Sequence, residues 1–535
     1  MAPGNWKRRQ FLQSAALASL AASWPSVVFA ERKFQPIADK GFKPDVEIEL
    51  VARRETVSLK PGPATRVFRY HATLRKGPPS TLVPMPGYLG PTLNFVQGQK
   101  VRIIFHNQLP EPTIAHWHGL HVPQVMDGHP MYAIAQGQQY IYEYEIRNPA
   151  GTNWYHSHTH EMTATQVYQG LAGLLTITDE QEQKLALPGG EYDLPIVIQD
   201  RNFTADNQLQ YLQRGMHERM VGFLGDTIVV NGQIKPVIPV KTRAYRLRFF
   251  NGSNSRIYKL GWKDGTPLTV IGTDGTLLEK PETYPYIMLA PAERVECWVD
   301  FSGREPGTDL MLYSLEFKGA VPRMGGGRRG GGGMRRHGMP QGAVFPVVKF
   351  HIAEKVSESP GLPENLTPFH RLTEKDVSDP AREIPIALSM RRMSPQLNGL
   401  SFEMLKVVDA ERIPVNTIQK IRIYHDGHGM RGGRGGPGGA RGGRGGMGMT
   451  MPHPIHLHGE QFQILSRIMR DQNTSDYDTV KKGFINSGRK DTVLVMPGEE
   501  VTILKPFNDY TGLYLYHCHN LEHEDMGMMR NFLVS

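Results

Sequence analysis

The stretches "FNDYTGLYLYHCH" (507–519) and "IRNPAGTNWYHSH" (146–158) are two versions of one pattern. In each, an extended residue leads into a turn containing Asn and Gly, and an aromatic-rich run then ends in a His-x-His pair. Aromatic and β-branched residues suit a pleated, half-buried surface, while Asn, Asp, Pro and Gly supply the reversal. Both stretches therefore read as strand, turn, strand. A second pair, "IAHWHGLH" (114–121) and "PIHLHGEQF" (454–462), repeats the relation in the same order. Two motifs recurring together mark the first and last thirds of the chain as copies of one unit.

Further runs of the same kind lie outward from these motifs: "VEIELVARR", "KVRIIFHNQL", "YIYEYEIRN", "LAGLLTITD", "YRLRFFNGS" and "VTILKPFND". No long segment carries a helical period, and 57 glycines and 40 prolines imply many turns. The pattern predicts an all-β protein of antiparallel sandwiches or barrels. A chain of 535 residues exceeds one core, so three domains are expected. The middle third has "LRFFNGSNSR" and "LAPAERVECWVDF" in corresponding positions but lacks a His-x-His pair. The expected boundaries are 31–185, 190–355 and 383–535, with the polar, proline-bearing stretch 356–382 as a linker.

The N-terminal segment 1–30 reads as an address. Arg8 and Arg9 precede a modestly apolar, serine-interrupted run that ends in the small-residue exit Val28-Phe29-Ala30. This resembles a twin-arginine export signal and predicts delivery to the periplasm, or export of another kind, by the twin-arginine machinery. The run is too short to span a bilayer, so no stable membrane insertion is expected. The formal charge of +9 is local: three cationic residues lie in this leader, and nine arginines lie in two acid-free glycine-rich stretches, 323–341 and 427–449. Without them the body is weakly acidic, which argues against a nucleic-acid partner. Both stretches read first as solvated loops. Nothing in the chain calls for an oligomer, and a monomer is expected.

Four His-x-His pairs occur: His116/His118, His156/His158, His456/His458 and His517/His519. Residues two apart on a strand share a face, so each pair presents two imidazoles to one place. Eight imidazoles from two homologous domains would fill a polynuclear site between them. One zinc takes three or four ligands and would be overfilled; copper also suits imidazole and adds oxygen chemistry. The same alternation turns Cys518 away from His517 and His519, toward a different metal. Only two cysteines exist, and Cys297 in "RVECWVDFSG" reads as a buried strand residue. Two His, one Cys and a weak axial Met make an electron-transfer copper site, for which His453, His523 and Met528 are available.

"HWHGLH", "WYHSHTH", "HPIHLHG" and "HCHNLEHEDMGMM" resemble, in order, the four copper motifs of three-domain multicopper oxidases, particularly the bacterial copper-efflux (cuprous oxidase) and laccase-like branch. The resemblance covers nearly the whole chain after the leader. It implies three cupredoxin-like Greek-key domains, four copper ions and reduction of dioxygen to water. It makes His453, Cys518, His523 and Met528 the type 1 ligands, with His116 and His456 on the type 2 copper. His118, His156, His158, His458, His517 and His519 would hold the type 3 pair. Met526 and Met529 are the axial alternatives. Asp127 and Glu524 match carboxylates associated in the family with proton delivery; the plainer reading makes Asp127 a turn residue and Glu524 an orienting one.

The donor stays open between Cu(I), which would imply copper tolerance, and small phenolic or aromatic reductants. Methionines such as Met390, Met393, Met404 and Met451 suit Cu(I), yet the short region 393–400 lacks the Met-rich insert of the efflux enzymes. A laccase-like phenol oxidase is the alternative. A non-enzymatic cupredoxin scaffold or copper-binding protein is a rival of another class, expected to lose ligands that this chain keeps.

Overall fold

Strand alternation is explicit in Val46–Val57, where Val46, Ile48, Leu50 and Ala52 are buried and the residues between them are half exposed. The computed structural model describes residues 38–320, 339–391, 394–426, 451–470 and 475–535. The expected leader lies outside these residues, as do most of the first glycine-rich stretch and all of the second.

Six sheets follow one another in three pairs, and each pair closes on one hydrophobic core. The first spans 46–178. Its four-stranded sheet contains Val46–Val57, Thr65–Lys76, Lys100–Asn107 and Gln139–Glu145; its five-stranded sheet carries Ala115–His118, Gly151–Ser157 and Ala172–Thr178. The second, 193–354, joins a seven-stranded to a five-stranded sheet over Phe249, Trp262 and Phe350. The third, 383–534, packs two five-stranded sheets over Ile386, Ile423, Ile455 and Phe532. This is the all-β, cupredoxin-like architecture.

The expectation of antiparallel sheets needs correction. Each of the six sheets contains one parallel pair, such as Val46–Val57 beside Lys100–Asn107 and Glu383–Arg391 beside Thr417–His425. The cause is the chain crossing between the two sheets of a sandwich: it returns to the first sheet in the direction it started, which a meander cannot do. Such crossings are what make the sandwich a Greek key.

Short helices fill the seams, and the sequence pattern did not anticipate them. They are α1 (Thr163–Gln169), α2 (Glu180–Gln183), α3 (Met216–Val221) and α4 (Leu521–Asp525). α4 packs against both α1 and α3. The stretch 355–382 contains no strand, but it is tied down: Leu366 N–H donates to Glu279 O, and Leu372 N–H donates to Gln463. Among the described residues no helix is long and apolar enough to cross a membrane.

Candidate metal centres

His116 sits cross-strand from His156, where Ala115–His118 pairs with Gly151–Ser157. In the third sandwich His456 sits opposite His517, where His453–Leu457 pairs with Gly512–Cys518. All eight paired histidines are at most 2% exposed, so the two motifs bury each other across the seam. They meet reciprocally: His116 stacks on His458 with centroids 4.0 Å apart, and His118 stacks on His456 at 3.7 Å. First-on-last pairing of this kind is what a local twofold between two copies of one motif produces.

The ring nitrogens fit metal ions. The Nδ1 of His116, His156 and His456 lies 2.5, 2.8 and 2.8 Å from the carbonyls of Asp127, Ser157 and Asp491, so Nδ1–H donates in each. Their Nε2 atoms are buried without a hydrogen-bond partner, as are both nitrogens of His519. Orphaned buried nitrogens are costly, and a coordinated cation would satisfy them. His158, His458 and His517 turn Nε2 toward one another, with His517 at 3.3 Å from His158 and 3.2 Å from His458. His116, His118 and His156 form another triple with ligand atoms within 4.8 Å. Burial first, and neighbouring imidazoles second, holds His116, His158 and His458 well below the ordinary histidine pKa. They stay neutral at physiological pH, the form a metal requires.

Cys518 points the other way, into the core of the third sandwich. Its Sγ is 3.4 Å from His453 Nδ1 and 3.7 Å from His523 Nδ1. Met528 shares this core and is tied by backbone to both neighbours: its N–H donates to His523 O, and its carbonyl accepts from Cys518 N–H. Met529 belongs to a separate cluster with Phe402 and Leu515, and Met526 is half-buried. Of the three methionines, Met528 is thus the one packed with Cys518. Met404 packs with the Met529 cluster, and Met451 is buried. Burial pushes the Cys518 thiol up, so in this apolar pocket only a bound cation would favour the thiolate.

The two sequence-selected carboxylates both touch the imidazole cluster. Asp127 follows a single turn of 3₁₀-helix, and its Oδ2 accepts from His458 Nδ1 at 2.7 Å. It therefore both ends a turn and bridges the sandwiches. Burial raises its pKa, and its Oδ1 has no hydrogen-bond partner. Glu524 lies 3.1 Å from His517 Nδ1 and 3.5 Å from His158 Nδ1, with neither oxygen otherwise paired.

The sequence reading missed Asp491, whose Oδ1 accepts from His118 Nε2 at 3.0 Å while its carbonyl holds His456. Arg294, a residue of the second sandwich, is fully buried and donates through both terminal nitrogens to Asp491. It holds the Asp491 carboxyl well below the usual range despite burial. His425 also approaches the sulfur site: its ring lies 5.6 Å from His453, and its Nε2 donates to Met451 O at 2.9 Å. Cys297 is a core strand residue with no exposure.

A sulfur-bearing pocket back to back with an eight-imidazole cluster marks a protein built to bind metal ions. Multicopper oxidase family models match residues 71–182 and 445–535, the segments that carry the four His-x-His pairs. The chain is 30% identical to the multicopper oxidase mco of Staphylococcus haemolyticus, over 84% of this chain and 82% of that one. It is 29% identical to a laccase of Bacillus stratosphericus, over 85% and 90%. The McoA multicopper oxidase of Aquifex aeolicus superposes with a TM-score of 0.73 at 29% identity, covering 92% of this chain and 97% of that structure. The chain belongs to the multicopper oxidase family: it is a copper-dependent oxidoreductase that uses dioxygen as acceptor.

Proposed function

We propose that this chain is an exported oxidase that takes single electrons from Cu(I) or a small phenolic donor and reduces dioxygen to water. Four donor electrons and four protons convert one dioxygen to two waters. His453, Cys518, His523 and Met528 would hold a type 1 copper, His116 and His456 a type 2 copper, and His118, His156, His158, His458, His517 and His519 a type 3 pair. Copper supplies a one-electron couple at the first site and multi-electron dioxygen chemistry at the cluster. The observation that carries this reading is the Gly512–Cys518 strand and the residue after it: Cys518 turns toward His453 and His523, while its covalent neighbours His517 and His519 turn into the cluster. The Cys518 backbone is thus a short covalent bridge between the two sites.

Asp127 and Glu524 serve as proton donors to the cluster. The unpaired Oδ1 of Asp127 is free to carry a proton while Oδ2 holds His458, and its raised pKa favours the acid. Glu524 stands against a different pair of rings, His158 and His517. The arginine pair in the leader supports twin-arginine export to the periplasm, where a cuprous oxidase would protect against copper. The region between Met393 and Leu400 is short and lacks a Met-rich insert, and the longer Arg/Gly stretch before His453 has only sparse methionines, which speaks for phenols as the alternative donors.

Steady-state dioxygen consumption separates the donors, measured with Cu(I) and with a simple phenol, each with and without added Cu(II). A higher kcat/KM for Cu(I) supports the copper-tolerance role, and a higher value for the phenol overturns it. Deleting residues 429 to 448 tests the second glycine-rich stretch: a changed KM for either donor makes it a gate, and unchanged values leave it a spacer.

A further inference from the structure

The second sandwich supplies none of the candidate ligands, yet it holds the helix that carries His523. Glu522 precedes that histidine on α4, is 1% exposed, and is surrounded by donors from the second sandwich. Tyr211 Oη donates to its Oε1 at 2.7 Å, and Asn254 Nδ2 donates to the same oxygen at 2.9 Å. Phe223 N–H donates to Oε2 at 3.0 Å, and Ser255 Oγ, shared with Asn520 Oδ1, reaches Oε2 as well. Every partner is a donor, which suits an anionic carboxylate. All of them are neutral, and among the described residues Glu522 forms no ion pair.

The same edge of the second sandwich reaches α4 at three more places. Leu521 N–H donates to Asn254 O at 3.1 Å, and His523 Nε2 donates to Met220 O at 3.0 Å. Gly222 approaches so closely that a Cβ there would lie 2.5 Å from both Asn520 Nδ2 and Ser255 Oγ. Asn254 and Ser255 belong to the "FFNGSNSR" loop, which occupies the corresponding place in the second unit but lacks histidine pairs.

We infer that Glu522 is a positioning residue for the type 1 site, and that the Asn254–Ser255 loop with Tyr211 forms the shelf that fixes His523 against Cys518. This deepens the multicopper reading and rests on it. The carboxylate also places a negative charge beside the site, with no ion-pair partner among the described residues, which favours the oxidised metal.

The test uses the full-length, copper-loaded protein. Glu522→Gln keeps the shape but removes the charge and sets an amide donor against donors; Tyr211→Phe removes one bond from the opposite side. The readouts are the midpoint potential of the thiolate-to-copper visible band, its electron paramagnetic resonance spectrum and the melting temperature. Glu522→Gln is expected to shift the one-electron reduction equilibrium toward the reduced metal by about tenfold, or 59 mV. Tyr211→Phe leaves the carboxylate charge less compensated and is expected to shift it by less and in the opposite direction, toward the oxidised metal, and both variants to change the copper hyperfine splitting. A lower melting temperature with unmoved potential and spectrum would make Glu522 merely structural and overturn the inference. Tyr211→Phe decides the matter if Glu522→Gln fails to fold. Absence of the visible band from the unmodified protein would instead count against the multicopper reading itself.

Discussion

Replacing Asp127 by Asn separates the two tasks assigned to that carboxylate. The substitution keeps an oxygen that accepts from His458 Nδ1, so the 2.7 Å contact survives as a neutral hydrogen bond. A charge-assisted bond is about twice as strong as a neutral one, so the loss there is about 1 kcal/mol, or somewhat under tenfold in copper affinity. Saturating copper removes that part of the effect. The amide cannot give up a proton, however, and loss of a general acid costs roughly 10²–10⁴-fold in rate. Turnover measured by dioxygen consumption, with copper per molecule determined on the same sample, should fall by about 10²-fold or more at full copper content. Glu524→Gln, at the carboxylate against His158 and His517, should lower turnover as well. If Asp127→Asn turns over at the unmodified rate with full copper, the relay is refuted and Asp127 only orients His458.

Three other outcomes follow from the same geometry. Arg294→Met strands the buried Asp491 carboxylate, should cost about 3–5 kcal/mol by chemical denaturation, and should loosen copper held by His118 and His456. His129 is buried, donates from Nε2 to Asn531 and accepts at Nδ1 from Met131 N–H; burial lowers its pKa to about 4. The unfolded chain therefore takes up the proton first as pH falls. The stability this residue confers is fully present above about pH 6.5 and declines by about 3 kcal/mol toward pH 4. In His129→Gln the metal-free protein should lose stability less steeply over that range, and an equal slope would remove His129 as the cause. Stripping copper with a chelator should lower the melting temperature, because the orphaned nitrogens of His116, His156, His456 and His519 lose their partner; an unchanged melting temperature would show that these nitrogens hold no metal.

The sandwiches and the imidazole cluster were legible because strand alternation is local. His517, Cys518 and His519 assign themselves to opposite faces once the run before them reads as a strand. The parallel pairs were not legible, since strand direction within a sheet depends on where the chain crosses over and not on any short pattern. Asp491 and Glu522 were missed for a related reason. The first meets Arg294 and the second meets Tyr211 across hundreds of residues, and neither contact leaves a spacing to read. α4 could have been found: Asn520 is a good N-cap, its side chain accepts from His523 N–H, and Glu522 and Glu524 follow in the first turn, where acids suit a helix start. At five residues it is too short to show a helical period, so these end signals are all the sequence offers.

In this mechanism Cys518 joins one copper to three others, a link that Cys518→Ser would break. Copper content and the visible spectrum should be compared with those of the unmodified, metal-replete protein. Four coppers and an intense visible band are expected in the unmodified protein, and three coppers without that band in the variant. An unmodified protein that is colourless or holds far fewer than four coppers would contradict it, as would a variant that keeps the band.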